Sequence, residues 1–312
     1  MPAATDRHPR RALVLGSGGH TGIAWEIGII QGLLEEGVDV RDADLLIGSS
    51  AGSVVASHLA LGGDIDDAIE LLGSPGVSAT AARMGAGVLA RYALAGLRPG
   101  TPARKRAWLA RRAAEAAVLD EDVFVAAVAQ GIENDAWPER DLMITAVRAD
   151  TGEPVAFTKD SGVPLPRAVA ASCSVPLVYP PVTIHGDPYI DGGIRTVTNA
   201  DMAVGADRVL VIAPLAFALR KSQRPRAQLA GLGPQVRSTC IVPDQGSLEA
   251  IGRNLLDPSR IRPARQAGVE QGRRFADRVR AIWHENDRGT HPAGAVTLDR
   301  DERVDEGAAS GR

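Results

Sequence analysis

Apolar residues in this chain gather in short runs that stop at glycine, and each of the first two runs is followed by a segment with helical spacing. Ala12 to Leu15 ends at Gly16 and reads as a buried strand. A glycine-rich loop follows over Gly16 to Gly22, and Ile23 to Glu36 then shows the period of an amphipathic helix that stops at Gly37. The order repeats. Leu45, Leu46 and Ile47 run into Gly48-Ser49-Ser50-Ala51-Gly52, and Ala51 to Leu61 reads as the next helix. A strand, a helical crossover and a second buried strand predict an α/β fold, with a mainly parallel central sheet and helices on its faces.

Farther along, helical character dominates Asp64 to Leu72 and Pro102 to Gly131. Between them, 73–100 mixes glycine, proline and apolar residues; it suits either a mobile cover over a site or a surface helix pair joined by loops. Asp141 to Val147 reads as a strand with Pro154 to Thr158 as its hairpin partner, Pro166 to Cys173 as a short helix, and Arg208 to Ala213 as another buried strand. Residues 284–312 are polar and charged, with little to bury, and are expected to form a disordered tail. The expected organisation is a flexible arm over 1–10, one domain over 11–283, and that tail.

Composition narrows the classes of function. With 45% hydrophobic residues over 312 positions the chain is expected to be soluble and globular, and a net charge of −3 gives no reason to expect nucleic acid as a partner. Its arginines cluster nevertheless: Arg104, Lys105, Arg106, Arg111 and Arg112 crowd one stretch, and Arg253 to Arg280 another. Solvated, salt-bridged helix faces explain both, and peripheral contact with an anionic membrane surface stays open. Cys173 and Cys240 lack the spacing of a zinc site or disulfide framework and are expected to be buried thiols. The apolar run at Ala12 is too short for a signal peptide and no span reaches transmembrane length, so a cytoplasmic location is expected.

The chemistry starts at Gly48 to Gly52. This G-x-S-x-G pattern, placed between a strand and a helix, nominates Ser50 as a nucleophile exposed on a sharp turn. Serine needs a base to remove its proton. Of the six histidines, His8, His185, His284 and His291 fall in the arm, a hairpin turn and the tail. His20 lies in the glycine loop, and His58, two turns up the helix after Ser50, is expected to point away from it. Asp191 is the better candidate, at the end of a short extended run and before Gly192 and Gly193, where a tight turn would project its carboxylate. The Gly16 to Gly22 loop would supply bare backbone amides for a developing oxyanion. A nucleotide phosphate loop fits less well, because a dinucleotide fingerprint counted from Gly16 needs glycine where Thr21 stands, and no P-loop lysine is present.

These three elements in this order resemble the patatin-like phospholipase family, as does the small-residue and proline segment from Ala170 to Pro181 ahead of the aspartate. The resemblance runs from about Arg11 to Val211. It implies a three-layer fold and a Ser-Asp dyad of Ser50 and Asp191 that works without histidine or any cofactor. It also implies an oxyanion hole from the amides of Gly18, Gly19 and Ala51, and a lipid or other acyl ester as substrate. Gly16, Gly22, Gly48, Gly52, Gly192 and Gly193 support the motifs. Two positions depart from the family pattern: its first loop glycine falls on Ser17 and its usual lysine or arginine on Thr21. The acyl groove is expected to draw on Ile23, Trp25, Val54, Leu177, Val178 and Tyr179. Two alternatives stand beside this reading: an α/β-hydrolase with a Ser-Asp-His triad, whose histidine would be His284 or His291, and a catalytically silent lipid-binding scaffold.

Overall fold

A computed structural model describes residues 8–63, 69, 94–116, 119–132, 135–216, 218 and 220–284. The elements in chain order are β1 (Arg11–Leu15), α1 (Gly19–Glu35), β2 (Leu45–Gly48), α2 (Ala51–Ala60), α3 (Pro102–Ala116), α4 (Glu121–Val128), β3 (Asp141–Arg148) and β4 (Pro154–Phe157). Then come α5 (Leu165–Cys173), β5 (Val182–Ile184), β6 (Asp187–Asp191), β7 (Arg208–Ile212), α6 (Pro225–Gly231), β8 (Arg237–Ile241), α7 (Gln245–Ile251) and α8 (Ile261–Trp283). Most of the helix expected over 64–72 and of the cover expected over 73–100 lies outside the described residues, as do the first part of the arm and nearly all of the tail.

One eight-stranded sheet organises these elements, in the order β5-β6-β3-β2-β1-β7-β8, with β4 also paired to β3. The ladders from β3 through β2, β1 and β7 to β8 are parallel, and β4, β5 and β6 add an antiparallel edge. The central strands are apolar on both sides because both sides are covered. Leu13, Leu15 and Leu46 face a core shared with α1, α2, α5 and α8, whereas Ala12, Val14, Leu45 and Ile47 face a second core with Leu229 of α6. Farther along β3, Val147 packs with Ala110 of α3. The fold is therefore the three-layer α/β arrangement expected from the apolar runs.

Two local expectations need correction. Helix α1 begins at Gly19, so the loop is shorter than the glycines suggested. Gly22 serves packing inside the first turn, since a β-carbon there would crowd Pro214 at 3.3 Å. Strand β8 was not expected; Arg237, Ser238 and Thr239 mask a short strand at the sheet edge, of which only the second half is fully buried.

Helix α1 makes its most extensive helix contact with α8, and glycine makes that contact possible. A β-carbon on Gly28 or Gly32 would strike the Arg265 or Val269 carbonyl, and one on Gly268 would come within 2.5 Å of the Trp25 carbonyl. Gly272 faces Ile29 in the same way. With glycine on both sides the two backbones touch, as at small-residue helix crossings generally. Gly28→Leu or Gly272→Leu is expected to force them apart and to lower unfolding stability by about 3 kcal/mol, read from denaturant titration.

Candidate active site

Ser50 stands between β2 and α2 with φ 52° and ψ −119°, a conformation that non-glycine residues rarely adopt. The surrounding backbone leaves it little choice. A β-carbon on Gly52 would collide with the Leu15 carbonyl at the end of β1, and one on Gly48 would meet Ser53 at 2.5 Å. Hydrogen bonds hold the turn: Ser50 N donates to Ser172 Oγ at 2.9 Å, Ser53 Oγ to the Ser50 carbonyl at 2.6 Å, and Gly52 N to the Gly16 carbonyl at 2.9 Å.

Asp191 reaches this serine from the antiparallel edge. It ends β6, where register pairs it with Ala146 on β3, next to the strand that feeds the Ser50 turn. Its amide donates to the Ser174 carbonyl at 2.9 Å, and Gly193 N donates to its Oδ1 at 2.6 Å. The carboxyl faces the Ser50 side chain closely enough that the hydroxyl works to lower its pKa. Both residues are almost closed to solvent. Burial raises the Asp191 carboxyl to about 7, against the lowering effects of the Ser50 and Gly193 hydrogen bonds. Space around the turn is tight: a β-carbon on Gly192 would strike Thr145 of β3, and one on Gly193 would strike Ser17 Oγ of the glycine loop. All three sequence motifs thus meet at one point.

The glycine loop lies across the end of β1. Gly16 N donates to the Ile212 carbonyl at 3.0 Å and to Glu26 Oε1 at 2.8 Å, and Ser17 N donates to the Val197 carbonyl at 2.7 Å. Gly18 presses against Pro214, and Gly19, with φ +61°, lies against the Leu255 carbonyl. No side chain caps the start of α1 or α2; backbone carbonyls take the amides of Thr21 and Gly52, and among the described residues those of Gly18, Gly19 and Ala51 are left for a ligand. Thr21, where the family has a basic residue, is buried and donates through both its amide and its hydroxyl to the Leu255 carbonyl.

An apolar cavity of about 100 Å³ opens beside Ser50. Ile23, Val54 and Tyr179 line it as expected, and Phe124, stacked on Tyr179 with ring centres 4.6 Å apart, lines it unexpectedly. Trp25, Leu177 and Val178 do not. Trp25 is two positions from Ile23 on α1, so it turns away from the cavity and is fully buried in the core. His58 falls four residues after Val54 on the same helical face and also lines the cavity, with its ring beside Gly63 beyond the far end of α2. His20 also lines it, from the first turn of α1 and not from a loop; burial lowers its pKa. Cys173, part-exposed here, donates to the Ser50 carbonyl at 3.4 Å. Burial, reinforced by the Asp191 charge, pushes its thiol up to about 12.

Residues 13–204 match the family model described as patatin-like phospholipase. The chain belongs to the patatin-like phospholipase family. Membership places it among lipid acyl hydrolases. No curated protein matches the chain. Among solved structures it is similar to VipD from Legionella pneumophila, with a TM-score of 0.46, 15% identity, and 87% of this chain and 67% of that one covered. It is also similar to the type III effector protein ExoU, with a TM-score of 0.37, 18% identity, and 86% of this chain covered; it spans about half of ExoU, 53%. Among the described residues of this patatin-like chain no helix is long and apolar enough to cross a membrane.

Two buried polar groups behind the patatin-like motifs had no signal in the motifs themselves. Glu26, on α1, is fully buried; desolvation raises its carboxyl well above the usual range, and its Oε2 has no partner among the described residues. Its Oε1 accepts from Gly16 N, so the acid props the start of the glycine loop. Asn199, with φ 52°, sends Nδ2 toward Ser49 Oγ at 2.9 Å, Thr145 Oγ1 at 3.1 Å and the Gly192 carbonyl at 3.2 Å. It ties the serine turn, β3 and the aspartate turn into one buried network. Asn199→Ala strands several of these groups without partners and is expected to cost about 2–3 kcal/mol of stability, measured by denaturant unfolding.

Proposed function

We propose that Ser50 and Asp191 act as a two-residue acyl-transfer centre on carboxylic ester bonds of phospholipids, lysophospholipids or related acyl esters. One observation carries this reading: the Ser50 side chain lies against a carboxyl that burial has raised to about 7. A base is most effective when it titrates near the working pH, and such a carboxylate can take a serine proton that an ordinary exposed aspartate would leave in place.

In the reaction, ionised Asp191 accepts the Ser50 proton as Oγ attacks the ester carbonyl. The amides of Gly18, Gly19 and Ala51 receive the oxyanion. Collapse of the intermediate expels the alcohol, which takes the proton from Asp191 and leaves the acyl group on Ser50. Water, deprotonated by Asp191, attacks that ester and frees the acid. Ser50 lines the cavity, whose walls of Ile23, Val54 and Phe124 suit a hydrocarbon chain. His20 and His58 stand in that wall, but it is a carboxyl that lies against the Ser50 side chain, which favours the dyad over a triad.

Ser50→Ala is expected to abolish labelling by a fluorophosphonate probe that marks the wild type; an unlabelled wild type would favour the silent scaffold. Asp191→Asn should lower kcat/KM by about 10²–10⁴-fold, whereas His284→Ala together with His291→Ala should leave it unchanged.

The pH profile separates the roles further. Because Asp191 must be ionised to act, kcat/KM falls as pH drops through about 7. Stability runs the other way: the folded-state carboxyl is raised above its unfolded value, so the folded protein holds the extra proton and its stability is lost as pH rises through about 7. Thermal unfolding scans across this range should show that decline in the wild type and a shallower one in Asp191→Asn.

A further inference from the structure

A second cleft, of about 380 Å³, lies away from Ser50 between α3 and the turn that joins β3 to β4. Arg98, Arg104, Lys105 and Arg111 line it together with Trp108. Arg104, Trp108 and Arg111 recur at intervals of four and three residues, so they share one face of α3. Arg98 comes from the preceding helical turn and stacks over the Trp108 ring, 4.6 Å from its centre. Asp150 is the cleft's acidic residue, and Arg148 already engages it at 3.2 Å. Among the described residues none of the four cations has a carboxylate partner. Lys105 reaches only a backbone oxygen, that of Gly96, at 2.6 Å. Like charges gathered so closely repel one another, and an anion in the cleft would relieve that repulsion.

The surroundings identify the source of the anion. Leu94 and Leu97, on the turn that delivers Arg98, are 53% and 83% exposed, so an apolar edge projects beside the cationic cleft. Exposed leucines, an aromatic ring at half depth and arginines whose stems can lie along apolar surface form the pattern of a protein resting on a lipid interface. The place in the fold agrees. Asp150 and Thr151 lie just beyond the carboxyl end of β3, the end of the sheet at which Ser50 leaves the parallel neighbour β2. A bilayer held here lies at the end of the molecule where the ester site opens.

We propose that this cleft binds the phosphate of an anionic lipid headgroup in a bilayer, with Arg104 and Arg111 as its main cationic contacts, Arg98 and Trp108 as a stacked wall, and Leu94 and Leu97 dipping into the interface. The assignment does not depend on the reaction at Ser50. Co-sedimentation with vesicles of phosphatidylcholine alone, and of phosphatidylcholine doped with phosphatidic acid, tests it. The wild type is expected to bind the doped vesicles at least about tenfold more tightly, because each basic side chain near such a surface adds attraction, and raised salt should release it. Arg104→Glu combined with Arg111→Glu should remove the preference while hydrolysis of a soluble short-chain ester stays at the wild-type level. Leu97→Asp should weaken binding several-fold, and Ser50→Ala should bind as the wild type does. Equal binding to both vesicles, an unchanged preference in the double-charge variant, or saturation by inorganic phosphate or a single-stranded oligonucleotide with no vesicle preference would each overturn the lipid assignment. The salt response and the vesicle preference of the wild type need no variant to fold.

Discussion

At Gly52 and Gly193 neighbouring segments approach so closely that a β-carbon would strike the Leu15 carbonyl or the Ser17 hydroxyl, and the arrangement around Ser50 depends on that approach. The Gly52 amide donates to the Gly16 carbonyl, which locks the serine turn to the end of β1. Gly193 lets the aspartate turn settle against Ser17. A larger residue at Gly52 would push the serine turn off β1, and one at Gly193 would push the aspartate turn off the glycine loop. The glycines therefore matter less as flexible joints than as missing volume.

That closeness has an energetic counterpart. Two acids, Glu26 and Asp191, are held where water cannot reach them, and both carboxyls are raised as a result. Desolvating an acid works against folding, and the raised Asp191 is useful chemically for the same reason. The offset comes from elsewhere: a sheet whose central strands are buried on both faces, and a glycine-lined crossing of α1 and α8 at backbone contact. Fold and site are thus in tension at one end of the sheet and in agreement over the rest.

Much of this was legible in the sequence wherever the signal was local. The apolar runs before Gly16 and Gly48 declare two buried parallel strands, because only strands covered on both faces can be apolar throughout. Ser50 and Asp191 stood out because glycines flank them on short turns. What stayed hidden depends on distant partners. Glu26 reads as one more charged position on a helix, and nothing nearby says that it lies under the glycine loop. Asn199 gives no sign that it joins three segments. Phe124 belongs to a stretch read only as helical, and it faces the cavity because α4 packs beside α5. Gly28 and Gly268 lie far apart in the chain, so their shared purpose appears only once α8 is docked.

The docking of α8 also bears on how the protein is made. The helix that presents the glycine loop at its amino end is supported along its length by a segment near the far end of the chain. On the ribosome, that support is missing until residues 261–283 have left the exit tunnel. The nascent polypeptide can lay down β1 and β2 early, yet the loop beside Ser50 gains its backing only after α8 has been made, more than two hundred residues later.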